Sequence, residues 1–480
     1  MDLLIGLDVG TSAVKGVLVA AEGLKVAVGR RTTRFLNPEP GWAELDPEEH
    51  YRSVCGLIQE LAAQAPHGGR VRALAMSAAS GNALLADAAG RPLTNIISWL
   101  DRRAMDKVAE LLPGFEAGPF QEVTGWPLGG FFPLAQLAWL RRHRPEAWAR
   151  AAHAGMNTDW LLHRLTGRWG IDPSTATTLY LYDQKAGGWH QPYLDFLGLR
   201  PEQLSALGPS GRALGPLTAR GAADTGLDRG TLAVLGCFDH PGAARGTGVL
   251  APGDLLLSCG TSWVGLYPTS NRAAAVSRGH LVDPFLTPGG PWGCMFALSA
   301  ISVIIEKYID QFLLVSGEEP ARKYAIFNEL AARVPPGAGG LRLDLYHDPL
   351  DFLKQVRNPL DGHPREHLAR ALMEGVAFVM RRKLEELDHA GIAERRLVMV
   401  GGPAESPVWP RILAEVVGHE LLLLHGQMAG AMGAAVLAAI GAGLHAGEAE
   451  AFAVMGGRAA RVEPEPEAVR CYEEIYHEQA

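Results

Sequence analysis

The sequence predicts an α/β protein built from two related halves, and three observations carry that expectation. The chain has 480 residues, more than one hydrophobic core ordinarily organises, so two large domains are expected. Apolar runs of strand length are mixed with amphipathic helical stretches in both halves, as α/β folds require. A strand–Gly-Thr-Ser–strand pattern also occurs twice. Leu4-Ile5-Gly6-Leu7-Asp8-Val9-Gly10-Thr11-Ser12 has its counterpart in Asp254-Leu255-Leu256-Leu257-Ser258-Cys259-Gly260-Thr261-Ser262. The Gly/Ala/Pro-rich stretch HPGAARGTGVLAPGD, residues 240–254, precedes the second copy and marks the boundary between domains 1–248 and 249–480.

The elements follow in order. LLIGLD, VKGVLVA and KVAVGRRT read as strands separated by glycine turns. Pro47 and two acids open a helix over 47–65, where Leu57, Ile58 and Leu61 recur at helical spacing. VRALAMS (71–77) and NALLAD (82–87) are further strands, followed by helices at 101–112, 134–143, 145–152 and 157–166. The second half begins with a strand at 254–259 and helices near 297–315 and 363–389, then a strand at 396–400. GGPAESPVWPRILAEVVG (401–418) reads as a turn entering a helix, before a strand at 420–424 and a last alanine-rich helix.

Composition narrows the function classes. Hydrophobic residues make up 48% of the chain and charged residues 20%, with a net charge of −8. That balance is globular and argues against nucleic acid or a membrane surface as the main partner. The five cysteines form no CxxC pair, which fits reduced thiols in a cytoplasmic chain better than a disulfide framework or a zinc site. The opening MDLLIGLDVGTS lacks the basic start of a signal peptide and reads as a strand. The apolar stretch 430–442 is shorter than the roughly 20 residues of a membrane span. Zinc-protease HExxH, hydrolase GxSxG and P-loop patterns do not occur.

The repeated hairpin is suited to a phosphate chain. Glycine admits close backbone approach, successive N–H groups point into the turn, and the Thr and Ser hydroxyls add neutral donors. Either copy alone would be an ordinary tight turn; the pairing gives it meaning. Asp8 ends the first strand, where a carboxylate can hold Mg²⁺ directly or through water. The second copy has Ser258 there, as a site with one metal would want. Lys15 lies in the first hairpin, either approaching phosphate or solvated. Asp239 sits between apolar VLGCF and PGAARGTG, which fits both a strand-end general base and a helix N-cap. Trp99 and Arg103 can face a polyhydroxylated ligand by stacking and by donating; core packing and an ion pair are the alternatives. His240 either donates to a substrate hydroxyl or supports its neighbours. Asn157 and Asp159 read best as helix caps.

Together the segments DVGTSAVKGVLV, GWAELDPEEHY (41–51), WLDRR (99–103), GCFDHPGAARGTG (236–248), LSCGTSWVG (257–265) and GGPAESPVWPRILAEVVG resemble the FGGY family of carbohydrate kinases across nearly the whole chain. The superfamily also includes actin, hexokinase and heat-shock chaperone ATPases, and the xylulose-kinase-like branch is the nearest pattern. The resemblance implies two ribonuclease-H-like (actin-like ATPase) domains flanking a central cleft. It implies ATP and Mg²⁺ as cofactors, and a sugar (a ketose such as a pentulose) or a polyol as acceptor. By resemblance, Asp8, Gly10, Thr11 and Ser12 match the first phosphate loop, with Asp8 near Mg²⁺. Gly260, Thr261 and Ser262 match the second, and Gly401, Gly402 and Ala404 the loop beneath adenosine. Pro403 stands where a glycine is common, which bears on the nucleotide contact there. Asp239 matches the base that takes the acceptor's proton. Two positions depart from the xylulose-kinase pattern: Ala79-Ser80-Gly81 replaces Met-His before a glycine, and His240 replaces an Asn. Both fall on the acceptor side, at Ser80, Trp99, Arg103, Asp239 and His240, so the resemblance leaves the acceptor open. A homodimer is a family-level expectation. A nucleotide-dependent actin- or chaperone-like interaction ATPase and an inactive sugar sensor are the competing readings.

Overall fold

A computed structural model describes residues 1–79, 81–260, 263–298, 301–315, 318–345, 362–392 and 396–479. The chain forms two compact units that are interleaved along the sequence. The first comprises 1–250, 268–295 and 428–457; the second comprises 251–267, 296–427 and 458–480. The first crossing between the units lies at 250/251, and two later segments return to the first unit.

The first unit is built on a six-stranded sheet. Its opening hairpin is β1 (Asp2–Val9) and β2 (Ala13–Ala20), extended by β3 (Lys25–Thr32). The helix α1 (Pro47–Ala62) follows, with Asp46 capping it by accepting from the Glu49 N–H at 2.7 Å. Then come β4 (Arg70–Ala78), β5 (Ala213–Pro216), β6 (Leu232–Phe238) and the helix α2 (Asp239–Thr247). The strand order is β5-β6-β4-β1-β2-β3. β1, β4 and β6 run parallel, with Asp8 beside Ser77, and Val9 and Phe238 both beside Ala78. Three strand ends thus open at one edge, the place where open α/β sheets bind ligands.

Both faces of this sheet are covered. Leu3, Ile5, Leu7 and Val9 pack with Val54, Leu57, Ile58 and Leu61 of α1. Leu4, Val17, Ala73 and Val234 pack with the alanine-rich helix Ala429–Gly441. Alternation of faces along β1 explains why its apolar run is continuous: each side chain meets a helix on one side or the other. The alanine-rich helix is not the last one, because Glu448–Met455 and Pro466–Gln479 follow it. A small sheet ordered Glu44–Leu45, Ile96–Ile97, Ala83–Ala86, His153–Met156 carries the segment around Trp99. The helix expected over 101–112 is reduced to a 3₁₀ turn, Met105–Lys107, and the short helix Val108–Leu111.

The second unit repeats the arrangement. β7 (Asp254–Cys259) pairs antiparallel with β8 (Trp263–Thr269). The long helix α3 (Arg365–His389) leads to β9 (Arg396–Gly401), which lies parallel to β7. The helix α4 (Trp409–Val417) and the strand β10 (Leu421–Leu423) follow, and β11 (Ala460–Val462) closes the edge. Where helices were expected over 297–315, the strand Trp292–Leu298 occupies the start, and a helix begins at Ile301. No described helix is long and apolar enough to cross a membrane.

Candidate active site

Asp8 and Asp239 come to the same edge of the first unit because β1 and β6 flank β4 in parallel. Asp8 is nearly buried and receives the Lys15 ammonium at 3.4 Å from the facing strand. Burial pushes its carboxyl up to about 6; Lys15 opposes the shift, the Asp239 charge adds to it, and His240 works against it. Asp8, Asp239 and His240 therefore lie in one electrostatic neighbourhood. Among the described residues no group of three or more His, Cys, Asp or Glu gathers as a metal cage. Asp8 fits the alternative mode for Mg²⁺, one carboxylate completed by substrate phosphates. Its carboxyl also abuts Gly430 in the first turn of the alanine-rich helix, where a Cβ would crowd it.

The turn after Asp8 is pinned on two sides. The Gly10 N–H donates to the Ala13 carbonyl at 3.1 Å, and the Thr33 N–H to the Ser12 carbonyl at 3.1 Å. The Thr33 hydroxyl donates to the Gly10 carbonyl at 3.3 Å. Thr11 accepts from the Trp99 indole N–H at 2.9 Å. Lys15 is half-buried and turned onto Asp8 as its partner.

Asp239 is the first residue of α2, and Phe238 occupies the cap position. The cap reading of Asp239 shifts by one residue accordingly. Its Oδ1 accepts from the His240 N–H at 2.7 Å, with His240 Nε2 3.8 Å from the same oxygen. The His240 ring stands edge-on to Phe238, which packs against Trp126. The helix approaches the alanine-rich helix through glycines: a Cβ on Gly433 would collide with the Gly242 carbonyl, and one on Gly246 with the Ala429 carbonyl. Only glycine permits that approach.

A buried network behind the strand end escaped the sequence reading. Ser174 Oγ accepts from the Phe238 N–H at 3.1 Å and donates to Asp283 Oδ2 at 2.7 Å. Burial pushes Asp283 up to about 7, opposed by Ser174 and Arg245, with Asp172 adding to the rise. Asp172, also raised to about 6 by burial, caps the short helix Pro173–Thr177. Arg245 on α2 is buried and donates to the Pro241 and Phe285 carbonyls. The Asp-Pro step at 172–173 signals a helix start, but nothing local links Ser174 to a residue 109 positions away.

Arg103 requires a correction. Its side chain is 3% exposed, bonded to both oxygens of Asp101 at 2.8 Å and to Glu44 at 2.6 Å, and stacked 3.6 Å over Trp42. A guanidinium so paired and covered stabilises the 98–103 turn and is not presented to an acceptor. Trp99 is half-buried, with its main-chain N–H donated to Asn82. Asp159 caps its helix by accepting from the Met156 N–H at 2.8 Å, while Asn157 is buried beside Asn82. Ser80, Thr261 and Ser262 lie outside the described residues.

In the second unit Gly260 follows β7, and Gly401 ends β9 with φ of +97° against the Cys259 carbonyl. Gly402–Glu405 forms a 3₁₀ turn in which Pro403 takes an opening position, where its missing N–H leaves no intrahelical bond unmade. Ala404 is buried. Ser406 Oγ accepts from the Val408 and Trp409 N–H groups, both at 3.1 Å, and starts α4.

The N-terminal domain of the FGGY family of carbohydrate kinases matches residues 3–246, and its C-terminal domain matches 255–442. An autoinducer-2 kinase from Escherichia coli is 30% identical over 507 residues, covering 98% of this chain and 92% of that protein. One from Yersinia enterocolitica is 29% identical, with 92% and 87% covered. The crystal structure of xylulose kinase from Rhodospirillum rubrum superposes with a TM-score of 0.83 at 29% identity, covering 99% of this chain and 97% of that one.

Proposed function

The chain belongs to the FGGY family of carbohydrate kinases and is a sugar kinase, and from that premise we propose that it transfers the γ-phosphoryl group of ATP to a hydroxyl of a small ketose or polyol, with Asp239 as general base. The observation that carries this reading is the convergence of Asp8 and Asp239 at one edge of the sheet, at the ends of the parallel strands that flank β4, near enough for the Asp239 charge to act on Asp8. Phosphoryl transfer asks the protein mainly for positioning and charge stabilisation.

The roles divide among the chain's own residues. The acceptor hydroxyl lies against Asp239, whose carboxylate takes its proton as the new O–P bond forms and ADP leaves. His240, its ring held edge-on by Phe238, donates to a neighbouring acceptor oxygen. The Gly10–Thr11–Ser12 turn supplies N–H and hydroxyl donors to the phosphates, with Gly260, Thr261 and Ser262 assigned the same task in the second unit. Gly401, Gly402 and Ala404 are assigned to the adenosine. Asp8 would hold Mg²⁺, which when bound would neutralise phosphate charge. Lys15 balances the Asp8 carboxylate.

The curated relatives act on autoinducer-2 and the solved neighbour on xylulose. Because His240 and the 79–81 segment depart from the xylulose-kinase pattern, autoinducer-2 stands beside the pentuloses as a candidate acceptor. The test is ADP release with Mg-ATP across ketoses, polyols, aldoses and autoinducer-2, with Asp239→Asn in parallel. A response to one or two acceptors, lowered about 10²–10⁴-fold by the substitution with ATP affinity little changed, is expected. Near-wild-type turnover in Asp239→Asn would remove Asp239 from this role.

A further inference from the structure

Trp99 is tied down at both ends. Its main-chain N–H donates to Asn82 Oδ1 at 3.1 Å, and its indole Nε1–H donates to Thr11 Oγ1 at 2.9 Å. Asn82 is itself buried and donates Nδ2 to the Ala79 carbonyl at 2.8 Å. The turn that carries Trp99 is clamped as well. Gln136 Nε2 donates to the Ser98 carbonyl at 3.0 Å, and the Leu100 N–H donates to Ser98 Oγ at 3.2 Å. The buried Arg103–Asp101 pair closes the other side, with Asp101 Oδ2 also accepting from the Ala43 N–H at 2.7 Å. The indole is thus delivered to Thr11 by a rigid turn.

The direction of that bond has a consequence. An indole nitrogen carries a hydrogen and no available lone pair, so Thr11 must be the acceptor. A hydroxyl oxygen that accepts has its own hydrogen to donate elsewhere, and accepting one bond strengthens the bond it donates. A threonine rotor in a phosphate turn would otherwise sample orientations in which its lone pairs face the anion.

We propose that Trp99 is a positioning residue for the phosphoryl donor: by donating into Thr11 Oγ1 it fixes the Thr11 hydroxyl as a donor toward the phosphates. The inference rests on the assignment of Gly10–Ser12 as a phosphate turn. It gives Trp99 to the nucleotide side, where stacking on the acceptor would give it to the sugar side. Through Asn82, whose side chain bonds both the Trp99 N–H and the Ala79 carbonyl, it also joins the phosphate turn to the segment at Ala79.

The experiment is a double-mutant cycle read by calorimetric binding of a non-hydrolysable Mg-ATP analogue to the full chain, which requires no acceptor. Trp99→Phe keeps an aromatic ring and removes the donor. It is expected to weaken the analogue about threefold to tenfold, the effect of one hydrogen bond, and Thr11→Val at least as much. Trp99→Phe/Thr11→Val should bind no more weakly than Thr11→Val alone, because the tryptophan acts through the hydroxyl. Wild-type affinity in Trp99→Phe, or effects that multiply in the double variant, would overturn the proposal. With a responsive acceptor, its KM should stay within about twofold in Trp99→Phe. A raised acceptor KM at unchanged analogue affinity overturns the proposal in favour of stacking. If the cycle holds but no sugar is turned over, the acceptor reading fails and the role of Trp99 stands. A wild-type chain that does not bind the analogue overturns both.

Discussion

The two strand–turn–strand hairpins share a backbone plan and differ in their chemistry. In each, the first strand pairs antiparallel with its hairpin partner and parallel with a strand from later in the chain: β1 with β2 and β4, β7 with β8 and β9. Each parallel pair is pinned by an Asp–Arg bridge, Asp2–Arg72 at 3.0 Å and Asp254–Arg396 at 2.8 Å. At the far ends the likeness stops. β1 ends in the buried Asp8, balanced by Lys15 and within the field of Asp239. β7 has Ser258 there, beside Val264 and Val400, and Gly401 closes against Cys259. One plan thus gives an end that can handle charge and an end whose β7–β9 strand neighbours carry none. The difference supports placing proton and metal chemistry on the first unit and nucleoside contact on the second.

The sharpest way to break this comparison is to remove the carboxylate from the end that has it. Asp8→Ala is expected to lower kcat/KM by roughly 10²-fold or more and to raise the Mg²⁺ concentration needed for half-maximal rate. An unchanged metal titration would cancel the asymmetry. A second, smaller effect concerns how Asp239 is carried. Gly433→Ala drives a methyl into the Gly242 carbonyl at the crossing of α2 and the alanine-rich helix. A loss of about 1–3 kcal/mol is expected from overpacking at backbone contact, with turnover falling as α2 shifts. Unaltered thermal melting would show that the helices have room that their glycines do not suggest.

The placement of Asp8 and Asp239 was legible because each stands at the end of an apolar strand, Asp8 late in β1 and Asp239 directly after β6. Each comes ahead of a glycine-bearing stretch, a pattern fixed by backbone geometry over a few residues. The first turn, at Gly10–Ser12, was legible for the same reason. Arg103 was misjudged because local sequence does not say whether a charged side chain will be roofed by Trp42 and matched to Glu44, 59 residues away. The alanine-rich helix announced its burial but not its place: its small side chains suit any close packing, and it joins the first unit although it follows most of the second. The bonds from Phe238 to Ser174 and from Ser174 to Asp283 join three distant segments, and no periodicity encodes that. Local placement was readable; the long-range partners that orient these side chains were not.

The same buried network gives a pH prediction. In the unfolded chain an aspartate releases its proton near 3.8, whereas folded Asp283 keeps it to about 7. Between those values the folded chain binds more protons, so the stability from this group is full below pH 4 and falls as pH rises to about 7. Asp283→Asn still accepts from Ser174 and does not titrate. Its melting temperature should therefore gain on the wild type between pH 5 and pH 8, by the equivalent of about 1–3 kcal/mol. Parallel melting curves across that range would mean that Asp283 ionises normally.

The smallest expected effect is the strictest test of the asymmetry. Ser258 occupies the place in the second hairpin that Asp8 occupies in the first, and it is half-buried beside valines on both neighbouring strands. If the second hairpin serves only through its backbone turn, the Ser258 side chain has no charge to move and no proton to hold. Ser258→Ala should then leave kcat, both KM values and the metal titration within about twofold of wild type, as is usual for a change that strands no buried partner. A loss approaching that of Asp8→Ala would mean that the second strand end works on the phosphates as directly as the first. The duplicated plan would then carry duplicated chemistry.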